Sequence, residues 1–336
     1  MTGDRRDRAI PVGKVPPDLL HEMVYRHLGV RRPEVVVHSA FGEDCAVVDF
    51  GDRLAAVTTD PITGAGEDLG WYALLIGTND LAAAGAEPVA VVLTILLAPA
   101  HAAEDLRRIM HDAGAAAASL GVEIAGGHSE VVSGIERPIV VVTAFGRVAP
   151  NALLRSGGAR SGDAVLLTKA AGIEGTAILA DACRDTLLPA LGDAALSRAR
   201  AFRDHLSVLP EARAAAAAGA RAMHDVTEGG VLGAVYELAA ASGVGVQLDA
   251  DKVPVLPETR AICETLRIDP LALIGSGALL VATPEPDRTA AAVTAAGISA
   301  AVIATLGQGD RRMRRAGREE PLVPPVRDEL WRALAR

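Results

Sequence analysis

Residues 71–85 read WYALLIGTNDLAAAG. Apolar side chains cover nearly every face of the helix that this run predicts. Asp80 stands inside that helix beside Asn79, although aspartate disfavours helix interiors because its short side chain competes for backbone hydrogen bonds. An uncompensated buried carboxylate is costly, so Asp80 needs a partner. The simplest partner is a cation, and Asp80 is therefore the first candidate metal ligand.

Three further aspartates lie in similar settings. They are Asp44 in GEDCA (42–46), Asp60 in TTDP (58–61) and Asp225 in MHDVTEGG (223–230). Mg²⁺ prefers oxygen ligands and takes only a few carboxylates, which leaves positions for water and phosphate oxygens. No histidine and cysteine cluster in the sequence favours a softer metal. The four aspartates together predict a Mg²⁺ site, although Asp44 and Asp60, each taken alone, fit a turn or capping role better.

Composition and charge exclude several classes of protein. The chain has 336 residues and a formal net charge of -9, without a long basic block, so a nucleic-acid partner is not expected. Its three cysteines are widely spaced, which supports neither a disulfide framework nor a thiolate zinc site. The charged start lacks the apolar stretch of a signal peptide, and the longest apolar run, Val89 to Ala100, is too short to span a membrane. We expect a cytoplasmic protein.

Hydrophobic periodicity predicts strands and helices in both halves, hence an α/β or α+β class. The glycine-rich segment Asn151 to Gly162 is the best domain boundary. We expect one domain over residues 1–150, a second over 151–310 and a charged tail over 311–336. The predicted helices include 16–29, 71–85, 101–120 and 231–241, and the predicted strands include 47–49, 54–59, 88–97, 122–125, 139–148, 164–168, 244–248, 279–282 and 300–304.

A glycine pair gives a complementary signal for phosphate binding. Gly126 and Gly127 follow a predicted strand, and paired glycines let backbone N–H groups approach a phosphate. His128 comes next, and a contact with phosphate or substrate is as reasonable here as the role of an ordinary polar loop histidine. The sequence contains no Walker loop and no dinucleotide fingerprint, so a common P-loop or Rossmann site is not expected.

Two residues beside Asp225 are candidates for acid and base chemistry. His224 precedes it and Glu228 follows it by three positions, and both side chains can move protons near neutral pH. Glu228 also fits the N-terminal turn of the next helix, where an acidic side chain suits the helix dipole. Both readings stay open for Glu228.

Seven segments follow one another along the chain: GEDCA (42–46), TTD (58–60), GTNDLAAAGAEP (77–88), AGGHS (125–129), GARSGD (158–163), MHDVTEGG (223–230) and GSG (275–277). This series resembles the aminoimidazole ribonucleotide (AIR) synthase superfamily. The superfamily includes the purine-pathway AIR synthase, thiamine-monophosphate kinase, selenophosphate synthetase and the hydrogenase maturation protein HypE. The match covers about residues 14 to 308, and within the superfamily the sequence looks most like HypE and HypE-like proteins.

The resemblance implies a two-domain PurM-like architecture. An N-terminal α+β domain would pair its sheet with a twin in a homodimer, and a C-terminal α/β sandwich domain would follow. ATP would lie in the cleft between the domains, with Mg²⁺ bridging its phosphates to carboxylates. The family's metal-binding positions correspond to Asp44, Asp60, Asp80 and Asp225, and its phosphate-binding positions lie near Asn79, Gly126, Gly127 and His128.

The resemblance also implies an ATP-dependent enzyme that activates an amide or carbamoyl oxygen. The oxygen attacks ATP, becomes a phosphate ester and then a leaving group, while Mg²⁺ and backbone donors stabilise the developing charge. In HypE the activated group is carried by a C-terminal cysteine, whereas this sequence ends in LWRALAR (330–336) and its last cysteine is Cys263. We therefore expect a small-molecule acceptor, or a cysteine supplied by a maturation-protein partner.

Two alternatives remain. One is a small-molecule kinase of the thiamine-phosphate kinase type, although that subfamily typically has an acidic residue where His128 stands. The other is a non-catalytic nucleotide-binding scaffold of a maturation complex, which has no need of four costly aspartates. Selenophosphate synthetase is disfavoured because residues 2–14 lack its reactive cysteine.

Overall fold

The structure, a computed structural model, describes residue 33 and residues 35–37, 40–44, 46–63 and 66–335. The predicted helix 16–29 lies outside these residues. The first half of the described chain forms a six-stranded sheet with the order β1-β2-β3-β6-β4-β5. Its strands are β1 Val35–Val37, β2 Ala46–Asp49, β3 Leu54–Ile62, β4 Glu87–Leu97, β5 Glu123–Val131 and β6 Ile139–Val148, and its helices are α1 Leu69–Gly77, α2 Asn79–Ala83 and α3 Ala102–Leu120.

Alternating side chains build the centre of this first sheet. In β6 the residues Val140, Val142 and Ala144 are fully buried while their neighbours are more accessible, which is the period of a half-buried strand. The helices α1 and α3 pack against each other, and α1 packs on β6, so the apolar face of the sheet is covered. Strand β5 forms the edge of the sheet farthest from β1. It pairs in parallel with its one neighbour among the described strands, β4, and its residues are largely exposed.

The predicted helix 71–85 is wrong in one respect, because it breaks at Thr78. Helix α1 ends at Gly77, where an added Cβ would lie 2.4 Å from a methyl carbon of Val142. The hydroxyl of Thr78 donates hydrogen bonds to the carbonyl oxygens of Leu74 (3.0 Å) and Leu75 (3.2 Å). A second, short helix α2 then begins, with Asp80 in its first turn. Asp80 is therefore not a helix-interior residue, and a carboxylate in a first turn suits the helix dipole.

The second half forms a seven-stranded sheet with the order β13-β12-β9-β11-β7-β10-β8. The strands are β7 Ala164–Thr168, β8 Ala222–Asp225, β9 Gly245–Asp249, β10 Leu279–Thr283, β11 Ala300–Gly307, β12 Arg311–Arg315 and β13 Arg318–Pro321. The helices are α4 Ile173–Ala182, α5 Arg184–Arg200, α6 Leu209–Ala217, α7 Gly230–Ala241, α8 Pro257–Leu266, α9 Pro286–Ala295 and α10 Glu329–Leu334. Short 3₁₀ turns cover Gly66–Asp68, Pro150–Ala152, Ser156–Gly158, Ala201–His205, Ala250–Lys252 and Pro270–Ala272.

The strand directions bring several loops to one edge of the second sheet. Strands β7 and β8 are both antiparallel to β10, which lies between them, so their carboxyl ends meet where β10 begins. Asp225 closes β8 at this edge, opposite Leu279. Residues 311–335, which belong to the expected tail 311–336, are folded into this half, because β12 pairs with β9 and α10 packs against α4.

Two mixed sheets with their helices confirm the predicted α/β (α+β) class. The domain bounds 1–150 and 151–310 stay predictions. Over the described part of the chain, no helix combines the length and the apolar character needed to cross a membrane.

Candidate active site

The four predicted metal ligands converge from both halves of the chain. Asp44 precedes β2, Asp60 lies on β3, Asp80 lies in the first turn of α2 and Asp225 ends β8. Helix α2 of the first half packs against β8 of the second half, which brings the sheet edge with Asp225 to Asp80. The charges of Asp225, Asp60 and Asp44 all act on the carboxyl group of Asp80.

Asp80 is the centre of this aspartate cluster. Thr58, on β3, donates a hydrogen bond of 2.5 Å from its hydroxyl to Asp80 Oδ2. Burial raises the pKa of Asp80 well above its usual range, and the negative charges of Asp225, Asp60 and Asp44 raise it further. The Thr58 hydrogen bond acts in the opposite direction but does not offset them. A carboxylate in this position is stabilised when a cation enters the cluster.

His224 holds Asp44 in place from the second half. Its Nδ1 lies 2.6 Å from Asp44 Oδ1, and its Nε2 hydrogen-bonds to Glu237 Oε2 at 3.1 Å. Ser156 donates a second bond, of 2.8 Å, to Asp44 Oδ2. Burial alone would lower the pKa of His224, but the carboxylates of Asp44 and Glu237 more than offset it, and the pKa rises well above its usual value. The ring of His224 therefore lies between the carboxylates of Asp44 and Glu237.

This arrangement bears on the predicted acid and base role of His224. Both ring nitrogens are engaged, and the residue is only 5% exposed. A proton transfer to substrate would first need one of these contacts to break. The geometry instead suits a side chain that orients Asp44.

The donor set fits a hard divalent cation. Candidate ligand atoms of Asp44, His224 and Asp225 all lie within 4.8 Å of one another. Two of these three residues offer carboxylate oxygens, which Mg²⁺ prefers. Asp60 and Asp80 are outside this group of three, but the charges of Asp225, Asp60 and Asp44 all act on Asp80.

The side chain of Asn79, predicted to lie near the phosphate-binding positions, instead hydrogen-bonds to the protein backbone. Its side chain is fully buried. The amide Nδ2 donates to the carbonyl of Leu206 at 2.8 Å, and Oδ1 accepts from the backbone N–H of Val208 at 2.9 Å. Asn79 therefore fastens the start of α2 to the second half of the chain, directly beside Asp80.

The glycine pair and His128 are not in a loop. Gly126 and Gly127 lie within β5, which continues to Val131, so the predicted end of the strand at residue 125 is wrong. At Gly127 (φ 151°) an added Cβ would lie 2.0 Å from the carbonyl oxygen of Leu93, which leaves glycine as the residue that fits. The pair therefore serves close backbone approach between two strands.

The distance across the first sheet separates this pair from the aspartates. Asp60, Val142, Leu93 and Gly127 are successive partners in one row over β3, β6, β4 and β5. Three strand spacings amount to roughly 14 Å. His128, one residue further on, is mostly exposed and lies 3.6 Å from Glu130. The phosphate contacts of Gly126, Gly127 and His128 stay predictions, and these residues do not touch the aspartate cluster within one chain.

Comparison with known proteins gives the family. Residues 42–148 match the AIR synthase related protein, N-terminal domain, and residues 160–314 match the AIR synthase related protein, C-terminal domain. The carbamoyl dehydratase HypE of Rhodobacter capsulatus is 32% identical over 286 residues, which are 83% of this chain and 81% of that protein. The chain belongs to the AIR synthase related protein family. The carbamoyl dehydratase HypE of Rhizobium leguminosarum bv. viciae is 32% identical over 304 residues, 86% of this chain and 85% of that protein.

Several solved structures share the architecture of this chain. A chain of the HypE–HypF complex has a TM-score of 0.75 at 22% identity and covers 91% of this chain and 99% of its own length. HypE in complex with ATP gives 0.70 at 24% identity, with 94% and 96% covered. Thiamine monophosphate kinase from Aquifex aeolicus gives 0.67 at 18% identity, with 90% and 97% covered. The predicted two-domain PurM-like fold is confirmed, and the enzyme names of the relatives confirm the expectation of an enzyme.

Three acidic residues of this AIR synthase related chain escaped the sequence analysis. Glu237 flanks His224, as described above. Glu174, in the first turn of α4, is 5% exposed, and its Oε2 has no hydrogen-bond partner among the described residues. Burial raises the pKa of Glu174 to about 7, partly offset by hydrogen bonding to Ser276. Asp328, just before α10, is 2% exposed, and burial raises its pKa to about 6.

Glu228 lies near both of these newly found acids. The charges of Glu228 and Asp328 add to the pKa shift of Glu174. The Nε1–H of Trp331 donates a hydrogen bond of 2.8 Å to Glu228 Oε1. Glu228 is thus held by the C-terminal helix α10, which sequence spacing could not show because 103 positions separate the two residues.

Proposed function

We propose that the chain is an ATP- and Mg²⁺-dependent enzyme that activates an amide or carbamoyl oxygen by phosphoryl transfer from ATP. The aspartate cluster around Asp80 carries this proposal, because four carboxylates from both halves act on one another there. Such a concentration of negative charge is unfavourable unless a cation balances it. The ATP complex of the structural relative HypE supports a nucleotide as the source of the phosphoryl group.

The four aspartates Asp44, Asp60, Asp80 and Asp225 would hold Mg²⁺. When bound, the ion would supply charge neutralisation for the phosphate oxygens during transfer. Asp225 comes from the second half and the other ligands from the first, so metal binding would join the two halves at this point. The ring of His224 keeps Asp44 directed into the cluster, since it contacts one carboxylate oxygen while Ser156 contacts the other.

The acceptor belongs to the carbamoyl or amide class in this proposal. The support is the similarity at 32% identity to two proteins named carbamoyl dehydratase. A partner protein is proposed because a HypE–HypF complex is among the structural relatives. A homodimer through the first sheet, with the exposed edge strand β5 near its contact, and a cytoplasmic location are also proposals.

A small-molecule kinase is the second candidate. Its support is the similarity to thiamine monophosphate kinase, at a TM-score of 0.67. The two activities differ in the fate of the acceptor oxygen. A kinase leaves the phosphoryl group on that oxygen, whereas activation of a carbamoyl group expels the oxygen with phosphate.

Calorimetry tests the nucleotide site first. Wild-type protein should bind Mg–ATP, and Asp80→Asn and Asp225→Asn should weaken that binding at least about tenfold, because each removes a ligand charge. Asp193→Asn is the matched control, since Asp193 is 75% exposed and pairs with Arg184 away from the cluster. Equal affinity in Asp80→Asn and Asp193→Asn would refute the metal site, and a wild-type protein that binds no nucleotide would favour the non-catalytic scaffold over both enzymes.

Isotope transfer then separates the two activities. A carbamoyl substrate labelled with ¹⁸O at its carbonyl oxygen should deliver the label to inorganic phosphate if the oxygen is activated and expelled. A labelled alcohol that retains both the label and the phosphoryl group would establish the kinase instead.

A further inference from the structure

The C-terminal segment Asp328–Leu334 is anchored by one buried carboxylate. Asp328 is the N-cap of α10, and its Oδ1 accepts the backbone N–H of Leu330 at 2.7 Å. Leu330 and Ala333 are buried, so the helix packs firmly onto α4. These contacts are those of an ordinary terminal helix and need no functional explanation.

Two further hydrogen bonds of Asp328 exceed the needs of a helix cap. Its Oδ2 accepts the backbone N–H of Gly229 at 2.6 Å, and its Oδ1 accepts that of Ile274 at 3.1 Å. Gly229 lies in the loop 226–229 that follows Asp225, and Ile274 precedes the segment that enters β10. One carboxylate thus joins the chain terminus to both loops at the sheet edge that bears Asp225.

The loop 226–229 has the conformation that these bonds require. Gly229 and Gly230 have φ values of 91° and 60°, a region that favours glycine. An added Cβ at Gly230 would lie 2.6 Å from the carbonyl oxygen of Leu271. The backbone N–H of Gly230 also donates to Thr227 at 3.0 Å. The loop is therefore fitted against its neighbours, and its side chain at position 228 has a defined direction.

Trp331 holds the side chain of Glu228. Its Nε1–H donates to Glu228 Oε1 at 2.8 Å, three residues after Asp328 in the same segment. Packing of α10 through Leu330 and Ala333 does not depend on this bond. Asp328 therefore holds the loop backbone while Trp331 holds its carboxylate.

We propose that the C-terminal segment positions Glu228 for the reaction, with Asp328 and Trp331 as positioning residues. This inference rests on the proposed function, because it assigns Glu228 a place beside the transferring group. In this role Trp331 touches neither ATP nor the metal and acts only through the glutamate. The segment is thus a part of the active site supplied by the end of the described chain.

The chain offers a matched pair of variants for the test. Trp331→Phe removes the donor and keeps an aromatic ring. Trp71→Phe does the same at the other tryptophan, whose Nε1 donates to the carbonyl of Arg203 at 3.2 Å. In Mg–ATP consumption, Trp331→Phe should lower kcat about tenfold with KM within about twofold, because positioning acts on the transition state. Trp71→Phe should leave both constants within about twofold.

A double variant separates positioning from general destabilisation. Adding Trp331→Phe to Glu228→Gln should lower kcat no further than Glu228→Gln alone, since the tryptophan acts through that glutamate. The proposal would be overturned if the decreases in kcat of the two single variants multiplied in the double variant. It would also be overturned if Trp331→Phe had no more effect on kcat than Trp71→Phe.

Amide hydrogen exchange tests the loop without nucleotide. In Asp328→Ala the Gly229 amide should exchange at least about tenfold faster, because it loses its acceptor, while the amides of the buried strand β10 keep their wild-type rates. An unchanged Gly229 rate overturns the positioning role. If wild-type protein consumes no ATP, the proposed function fails by itself, and this exchange measurement still decides whether the segment holds the loop.

Discussion

Glu174→Gln should change how the stability of the protein depends on pH. Glu174 is 5% exposed, and its pKa in the folded protein is about 7 instead of 4.5, chiefly because burial disfavours the carboxylate. A carboxyl group with a raised pKa binds its proton more tightly in the folded than in the unfolded state. Its contribution to stability is therefore full below pH 4.5 and is lost as the pH rises through about 7.

The size of the effect follows from that shift. A rise from 4.5 to about 7 corresponds to a loss of about 3 kcal/mol between pH 4.5 and pH 8. Glutamine cannot ionise, so the variant lacks this loss. It carries a pH-independent cost of about 1–3 kcal/mol for a buried amide whose bonds differ from those of the acid. The difference between variant and wild type should therefore change with pH even where its absolute value is unfavourable.

Urea unfolding at a series of pH values, without Mg²⁺ or nucleotide, measures this difference. The variant should gain about 3 kcal/mol on wild type between pH 4.5 and pH 8, with most of the change between pH 5 and 7. Ser276→Ala should shift the wild-type transition to higher pH, because Ser276 hydrogen bonding lowers the pKa of Glu174. Parallel curves for Glu174→Gln and wild type would refute the reasoning, since they would mean that the carboxyl is not desolvated in the folded state.

Three further predictions concern the aspartate cluster and its surroundings. Asp80→Asn should raise the melting temperature of the metal-free protein, because it removes a buried charge that repels Asp225, and should abolish stabilisation by Mg²⁺ in the same thermal scans. Asn79→Ala should cost about 1–3 kcal/mol in urea unfolding, since the buried carbonyl of Leu206 and N–H of Val208 lose their partners; an unchanged midpoint would contradict this. Gly127→Ala should destabilise the folded protein by more than about 1 kcal/mol, because the added Cβ would collide with Leu93. Gly114→Ala is the control: this glycine lies in open space within α3, and the substitution should stabilise the folded protein by about 0.5–1 kcal/mol. Similar shifts of the melting temperature in the two variants would refute the steric argument.

Local patterns predicted most strands and helices of this fold. The strands predicted over residues 139–148 and 164–168 agree with β6 and β7 at both ends. The break at Thr78 was not predictable, because the apolar run continues on both sides of it. The continuation of β5 through Gly126 and Gly127 was not predictable either, because nothing local shows that Leu93 approaches the backbone there.

In the candidate site, too, residue types could be predicted from the sequence, whereas contacts between distant residues could not. The four aspartates were chosen from the sequence, since each is a costly charge in an apolar setting. The state of His224 was not predictable, because it depends on Asp44 and Glu237, which reach it only through the fold. Asp328 carries an N-cap signal before α10, yet its bond to Gly229 spans 99 positions and has no local trace. Glu174 begins an ordinary helix in the sequence, and only its burial distinguishes it.

The bonds of Asn79 have a consequence for synthesis of the protein on the ribosome. The partners of its amide, Leu206 and Val208, lie 127 and 129 positions later in the chain. A nascent first half therefore emerges with an unsatisfied amide at the start of α2, beside the carboxylate of Asp80. The proposed metal site includes Asp225, so a truncated product that ends before β8 would lack one of its four proposed ligands.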